Sequence, residues 1–138
     1  MSRKSDPLPD DACPCGSGAA YAACCSRWHA GPTQFQAPTA EALMRSRYSA
    51  FVKQLGNYLQ ATWHASTRPA VAPVFEPGVR WLGLDVRRHS ITGEHAAEVE
   101  LVARSKFGGR AHRLHEVSRF VWEDGRWYYV DGDVLAGG

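Results

Sequence analysis

Four cysteines, Cys13, Cys15, Cys24 and Cys25, crowd into one short stretch, and none follows in the rest of the 138-residue chain. They cannot staple the body of the protein and must serve a local unit. Two pairs, in CPC and CC, stand eight residues apart, which supplies four soft donors. Thiolates bind Zn²⁺ at about 2.3 Å in a tetrahedron, and a four-Cys shell is closed, with no open position for catalysis. Gly16-Ser17-Gly18 lets the chain turn sharply and aim backbone N–H groups at sulfur, and Ala19 to Ala23 can form a short helix that delivers the second pair. So small a unit has no adequate core, and a bound metal would supply its folding free energy. Disulfides are the first alternative, although adjacent Cys24 and Cys25 close only a strained ring and a CxC bridge is tight. Free thiols are the second. Spacing alone leaves all three open.

The remaining length suits one ordinary domain. The N-terminal MSRKSDPLPDDA is polar and no apolar run reaches the roughly 18 residues of a membrane span, so a soluble, cytoplasmic protein is expected, a setting in which disulfides are rare. A formal charge of +2 is too weak to imply attraction to nucleic acid or membrane. Residues 1–12 read as a disordered lead-in, 13–28 as the cysteine element, 29–38 (HAGPTQFQAP) as a linker, and 39–138 as the main domain.

That domain begins helical. Thr39 is a plausible N-cap, and Met44, Tyr48, Phe51, Val52 and Leu55 recur on one face; Gly56 interrupts, and a second helical stretch runs from Asn57 to Trp63. The proline-rich segment from Ser66 to Gly78 ends it. The pattern then switches to period two, predicting strands at Arg80–Ile91, His95–Phe107, Arg110–Trp122 and Arg126–Val134, with tight turns at Gly108-Gly109 and Asp124-Gly125 and an earlier one at Thr92-Gly93-Glu94. The two tight turns fix a register. Gly108-Gly109 opposes Ala103 to Leu114, Leu101 to Glu116 and Val99 to Ser118; Asp124-Gly125 opposes Trp122 to Trp127, Phe120 to Tyr129 and Ser118 to Asp131. One face is then apolar and must be covered by the helices. The other carries Glu98 opposite Arg119, with Glu100 near Arg119 and Arg113. The predicted class is α+β: helices in the concave face of a curved antiparallel sheet, a cystatin-like cone, preceded by a small zinc-binding element.

Three polar residues, Glu116, Ser118 and Asp131, fall on the predicted inner face. With Tyr48, Tyr129, His64 or His112 nearby, Glu116 and Asp131 could form a general acid/base pair in an apolar cone. Alternatively Arg45 and Arg47, on the covering helix, pair with these carboxylates and the arrangement is structural. The histidines show no metal-ligand spacing except His112 and His115, which alternate onto opposite faces of a strand, and Trp81, Trp122, Trp127 and Tyr129 read as core or cone lining. Outward Arg87, Arg88, Arg104, Lys106, Arg110 and Arg113 are offset by acids of the same region.

The run CPCGSGxxYxxCC resembles the SEC-C motif, the zinc-binding element at the C-terminus of the bacterial translocation ATPase SecA and on many other proteins. The match covers Cys13, Pro14, Cys15, Gly16, Ser17, Gly18, Tyr21, Cys24 and Cys25. It implies one structural Zn²⁺ on Cys13, Cys15, Cys24 and Cys25. In SecA the element binds the chaperone SecB and carries basic residues around the tyrosine, where this chain has Ala19, Ala20, Ala22 and Ala23. LMRSRYSAFV, TWHASTRP and HEVSRFVWEDGRWYYVDGD are similar to the YchJ-like family, in which a SEC-C motif precedes a domain like nuclear transport factor two. The resemblance implies a fold and no reaction. The expected function is a cytoplasmic protein-interaction or adaptor module with a structural zinc site and an unidentified protein partner. A second reading is a small-molecule binder or acid/base enzyme using Glu116 and Asp131 in the cone; contact with nucleic acid is a third.

Overall fold

The computed structural model describes residues 11–135. The lead-in expected over 1–12 lies outside the described residues except for Asp11 and Ala12, where Ala12 bridges to Ala20 and the Tyr21 N–H donates to the Asp11 carbonyl at 2.7 Å. The expected Ala19–Ala23 helix is a single 3₁₀ turn, Tyr21–Ala23, followed by a short helix α1, Ser26–His29. Helices α2, Ala40–Lys53, and α3, Gly56–Ala61, precede four strands: β1 Arg80–Gly93, β2 Ala96–Phe107, β3 Arg110–Glu123 and β4 Arg126–Val134. Among the described residues no helix is long and apolar enough to cross a membrane.

Thr39 caps α2 as its sequence predicts, its hydroxyl accepting from the Ala42 N–H at 3.0 Å. Glu41 in the first turn and Lys53 in the last complement the helix dipole. Gln54, in the left-handed region at φ 59°, ends the helix by donating its N–H back to Ala50 and Phe51. Gly56 then opens α3 beneath the proline-rich segment, where a Cβ would lie 3.1 Å from the Pro73 carbonyl oxygen. That close approach favours glycine at this position.

The strands form one antiparallel meander in the order β1-β2-β3-β4. Both residues of each tight turn have positive φ: Gly108 59° and Gly109 77°, Asp124 54° and Gly125 83°. These are the values that match hairpin twist. The pairing follows the predicted register at Val99–Ser118, Leu101–Glu116, Ala103–Leu114, Phe120–Tyr129 and Trp122–Trp127. It departs in one place. A shift between Arg119 and Phe120 sets Asp131 opposite Arg119 and Gly132 opposite Ser118. One extra residue reverses the facing of all that follow, so Asp131 lies on the outer face, not the inner one, and its carboxylate accepts from Arg119 Nε at 2.6 Å. Glu98 does oppose Arg119; Glu100, in contrast, takes Arg88 at 3.3 Å and His115 at 2.7 Å rather than Arg119 and Arg113.

Further shifts in β1 help coil the sheet. Its concave face packs on α2 in two clusters. Ala40 and Leu43 meet Ala97, Val99 and Phe120, while Tyr48 meets Leu101 and Ala103. The 29–38 connection packs through Phe35: its N–H donates to the Trp28 carbonyl at 3.0 Å and its ring stacks on Tyr58 at 5.8 Å between centroids.

Candidate metal centre and cone cavity

The sulfur atoms of Cys13, Cys15, Cys24 and Cys25 all lie within 4.8 Å of one another, three of them on buried residues. Glycines at positive φ, Gly16 at 80° and Gly18 at 92°, fold the loop back on itself, and the Cys13 N–H closes it on the Ala19 carbonyl at 2.9 Å. Cys15 Sγ and Cys24 Sγ are 3.7 Å apart. Four bonds of about 2.3 Å in a tetrahedron require sulfur–sulfur edges of about 3.8 Å, whereas a disulfide requires about 2.0 Å. Thiols packed this closely oppose one another's ionisation: hydrogen bonds from Cys15 and Cys25 drive the Cys13 thiol well down, while the hydrogen bond with Cys13 pushes Cys15 and Cys25 up. A multivalent cation removes that conflict. The donor set therefore fits a thiophilic metal in a closed, structural site.

The centre is anchored to α2. Cys13 Sγ meets Ser49 Oγ at 3.5 Å, and Arg45 Nη1 donates to the Cys15 carbonyl at 2.9 Å while its Nε donates to Glu41 at 3.0 Å. Arg45 thus serves the cysteine element and bonds neither Glu116 nor Asp131. Buried His29 is the second anchor. Its Nε2 lies 2.8 Å from the Ser46 carbonyl, which can only accept, so Nε2 carries the proton and Nδ1 accepts from the Tyr21 hydroxyl at 2.6 Å. Burial lowers its pKa. Sequence reasoning left His29 at the head of a linker; its position four residues after Cys25, at the end of the short helix that Cys25 caps, was the available signal.

The cone holds an open cavity of about 300 Å³. Arg47, 4% exposed, reaches its floor. Nη1 donates to the Leu59 carbonyl at 2.8 Å and to Thr62 Oγ1 at 2.7 Å, and the guanidinium lies 4.5 Å from the Tyr129 ring centroid and 5.4 Å from that of Trp63. Burial lowers its pKa to about 10, so it stays charged at neutral pH. Among the described residues no carboxylate lies within ion-pair distance of it, which overturns the expected Arg47 pairing: α3 packs close enough for the Leu59 carbonyl and the Thr62 hydroxyl to satisfy Nη1 instead.

Glu116 also faces the cavity. Its Oε2 accepts from Ser118 Oγ at 2.7 Å and from the Tyr129 hydroxyl at 3.4 Å, and burial raises the Tyr129 pKa to about 12, keeping the phenol a donor. Gly132 makes room for this carboxyl group, since a Cβ there would overlap it. The walls are aromatic: Tyr48, Phe51, Trp63 and Trp81, with Tyr48 edge-on to Trp81 at 5.6 Å.

The acid/base pair expected from sequence does not assemble. Asp131 is on the other side of the sheet, His64 is held by Ser66 at 2.7 Å and Glu123 at 2.6 Å, and His112 is exposed near the β2–β3 hairpin. The structure does bring Arg47, Tyr48, Glu116, Ser118 and Tyr129 together around one cavity.

Residues 39–132 match the family model described as YchJ, middle NTF2-like domain, and residues 11–27 match the SEC-C motif. A UPF0225 protein of Methylibium petroleiphilum is 62% identical over 95% of this chain and 92% of its own length; one of Chromobacterium violaceum is 57% identical over 89% and 93%. Among solved structures, a SEC-C motif containing protein from Rhodopseudomonas palustris superposes with a TM-score of 0.75 at 32% identity, covering 89% of this chain and 98% of its own. A second, from Psychrobacter arcticus, gives 0.75 at 27% identity over 95% and 86%.

Proposed function

This chain belongs to the UPF0225 family of YchJ-type proteins with a SEC-C motif, and on the geometry of its cone we propose that it is a small-molecule-binding module whose four-cysteine centre carries one structural Zn²⁺. The observation that carries this reading is the open cavity of about 300 Å³ with a buried, carboxylate-free Arg47 at its floor. A core that served only stability would fill such a space or bring a carboxylate into direct contact with the guanidinium. Binding is favoured over catalysis because Glu116 is engaged at Oε2 by the Ser118 and Tyr129 hydroxyls and, among the described residues, bonds no second carboxyl group and no imidazole that could share a proton with it. Zinc is the metal favoured by four thiolates in a tetrahedral shell, and such a site suits the reducing cytoplasm. Its role is to hold the N-terminal element on α2, behind the cone.

The adaptor reading retains one supporting feature: Arg27 lies exposed over the Trp28 ring at 4.4 Å on the cysteine element, a surface a protein partner could use.

The binding reading is tested with N-phenyl-1-naphthylamine, a neutral apolar fluorophore small enough for the cavity. Saturable binding at one site per chain is expected, with quenching of tryptophan emission. Leu114→Trp, at the partly exposed mouth of the cavity, should weaken it while circular dichroism and zinc content stay unchanged. Absence of saturable binding, or binding indifferent to Leu114→Trp, would overturn the assignment.

A further inference from the structure

If the cone is a binding chamber, as read above, its unsatisfied polar atoms define the guest. A buried guanidinium is ordinarily neutralised by a carboxylate. For Arg47, Nη1 is fully engaged by Leu59 and Thr62, while Nε and Nη2 donate to no partner among the described residues. Across the same cavity Glu116 accepts two bonds, both at Oε2, and among the described residues Oε1 accepts none. The chamber therefore offers one free donor edge and one free acceptor oxygen between aromatic walls. Their formal charges cancel.

That balance excludes charged guests more strongly than neutral ones. An anion satisfied by Arg47 would meet the Glu116 carboxylate, and a cation satisfied by Glu116 would meet the guanidinium; between aromatic walls either repulsion is less screened than in bulk water. A carboxamide avoids both. Its carbonyl oxygen accepts from Arg47 and its N–H donates to Glu116, completing both groups with no net charge. The rings of Tyr48, Phe51, Trp63 and Trp81 favour a flat aromatic body, and the volume limits that body to roughly three rings at most. We propose that the cone binds small neutral aromatic carboxamides through Arg47 and Glu116.

The test uses the full-length, zinc-loaded protein and three compounds of one shape: naphthalene-2-carboxamide, 2-naphthoate and 2-naphthylmethylamine. Each is titrated directly by tryptophan quenching and by displacement of N-phenyl-1-naphthylamine. The carboxamide should bind at least about tenfold more tightly than either ion, a preference that one or two charge-assisted hydrogen bonds can supply. Glu116→Gln, which leaves the cavity positively charged, should reverse the order in favour of naphthoate; Arg47→Lys, which keeps the charge but loses the fork, should weaken the carboxamide selectively. If the fluorophore binds in the cone but the three compounds bind equally, or naphthoate binds best to the unaltered protein, the carboxamide assignment is wrong and the chamber stands. If neither the fluorophore nor any of the three binds, the chamber reading falls and the carboxamide assignment with it.

Discussion

Replacing His29 with alanine tests whether this side chain clamps the metal element to the domain or ligates the metal. The imidazole is 7% exposed and joins Tyr21 to the Ser46 carbonyl. As a mid-helix carbonyl, Ser46 keeps its partner four residues on, so the substitution orphans no buried acceptor there. It removes two hydrogen bonds, each contributing about 1 kcal/mol, and the edge-on contact with Tyr58 at 4.7 Å, about 0.5–1.5 kcal/mol. With a modest cavity term the loss is about 3 kcal/mol, which for a chain of this size lowers the melting temperature by about 10 °C. Tyr21→Phe, losing one partly exposed bond, should cost about 1 kcal/mol. Both variants should keep one Zn²⁺ per chain. The pH dependence is a second signature. Burial holds the folded pKa of His29 below its unfolded value, so its contribution is complete above pH about 6.5 and is lost as the pH falls. The gap between the unaltered protein and His29→Ala should therefore narrow on acidification, a comparison in which thiolate protonation is common to both. Calorimetry with zinc analysis decides the matter. A melting temperature within about 2 °C of the unaltered protein would refute the clamp, and loss of zinc from an otherwise folded variant would mark His29 as a ligand.

Three other outcomes are expected. Cys24→Ser, altering the most accessible of the four sulfurs, should lower zinc affinity by at least about tenfold in a chelator competition and lower the melting temperature, because metal and folding free energy are coupled; unchanged affinity would contradict the four-sulfur shell. Gly132→Ala should displace the Glu116 carboxyl group and abolish carboxamide selectivity while the far-ultraviolet spectrum is retained; unchanged selectivity would contradict the placement of Glu116. Asp131→Asn should shift the melting temperature by no more than about 2 °C, since Asp131 and Arg119 pair on the solvated face; a large drop would put Asp131 back in the core.

The parts of this fold written in local chemistry were readable from the chain. Thr39 announced a helix start, Gly108-Gly109 and Asp124-Gly125 announced hairpins, and alternation between them carried the register as far as Phe120. The bulge at Arg119–Phe120 was not readable. Gly132 inside the β4 pattern is the one hint, since a lone glycine in a strand suggests a bulge or a close approach without saying which; the structure places both near it, the register shift and the Glu116 carboxyl group. Arg45 and Arg47 show the same limit. Both sit on the covering helix, as read, yet one turns to Cys15 and Glu41 and the other to Leu59 and Thr62, partners set by tertiary packing. The four cysteines were visible by spacing, and the clustering of their sulfurs follows from it; the cavity, a property of how α2 lies across the sheet, was visible only as a set of unexplained polar residues.

The most direct measurement is a methyl and amide chemical-shift map of the zinc-loaded protein titrated with naphthalene-2-carboxamide. Carboxamide binding in the cone predicts saturable shifts at Met44, Leu101, Ala103 and Leu114, the methyl groups that line the cavity, with the Trp63 and Trp81 indoles moving at the same midpoint. Shifts confined to the cysteine element around Arg27 and Trp28, or none at millimolar ligand, would contradict it.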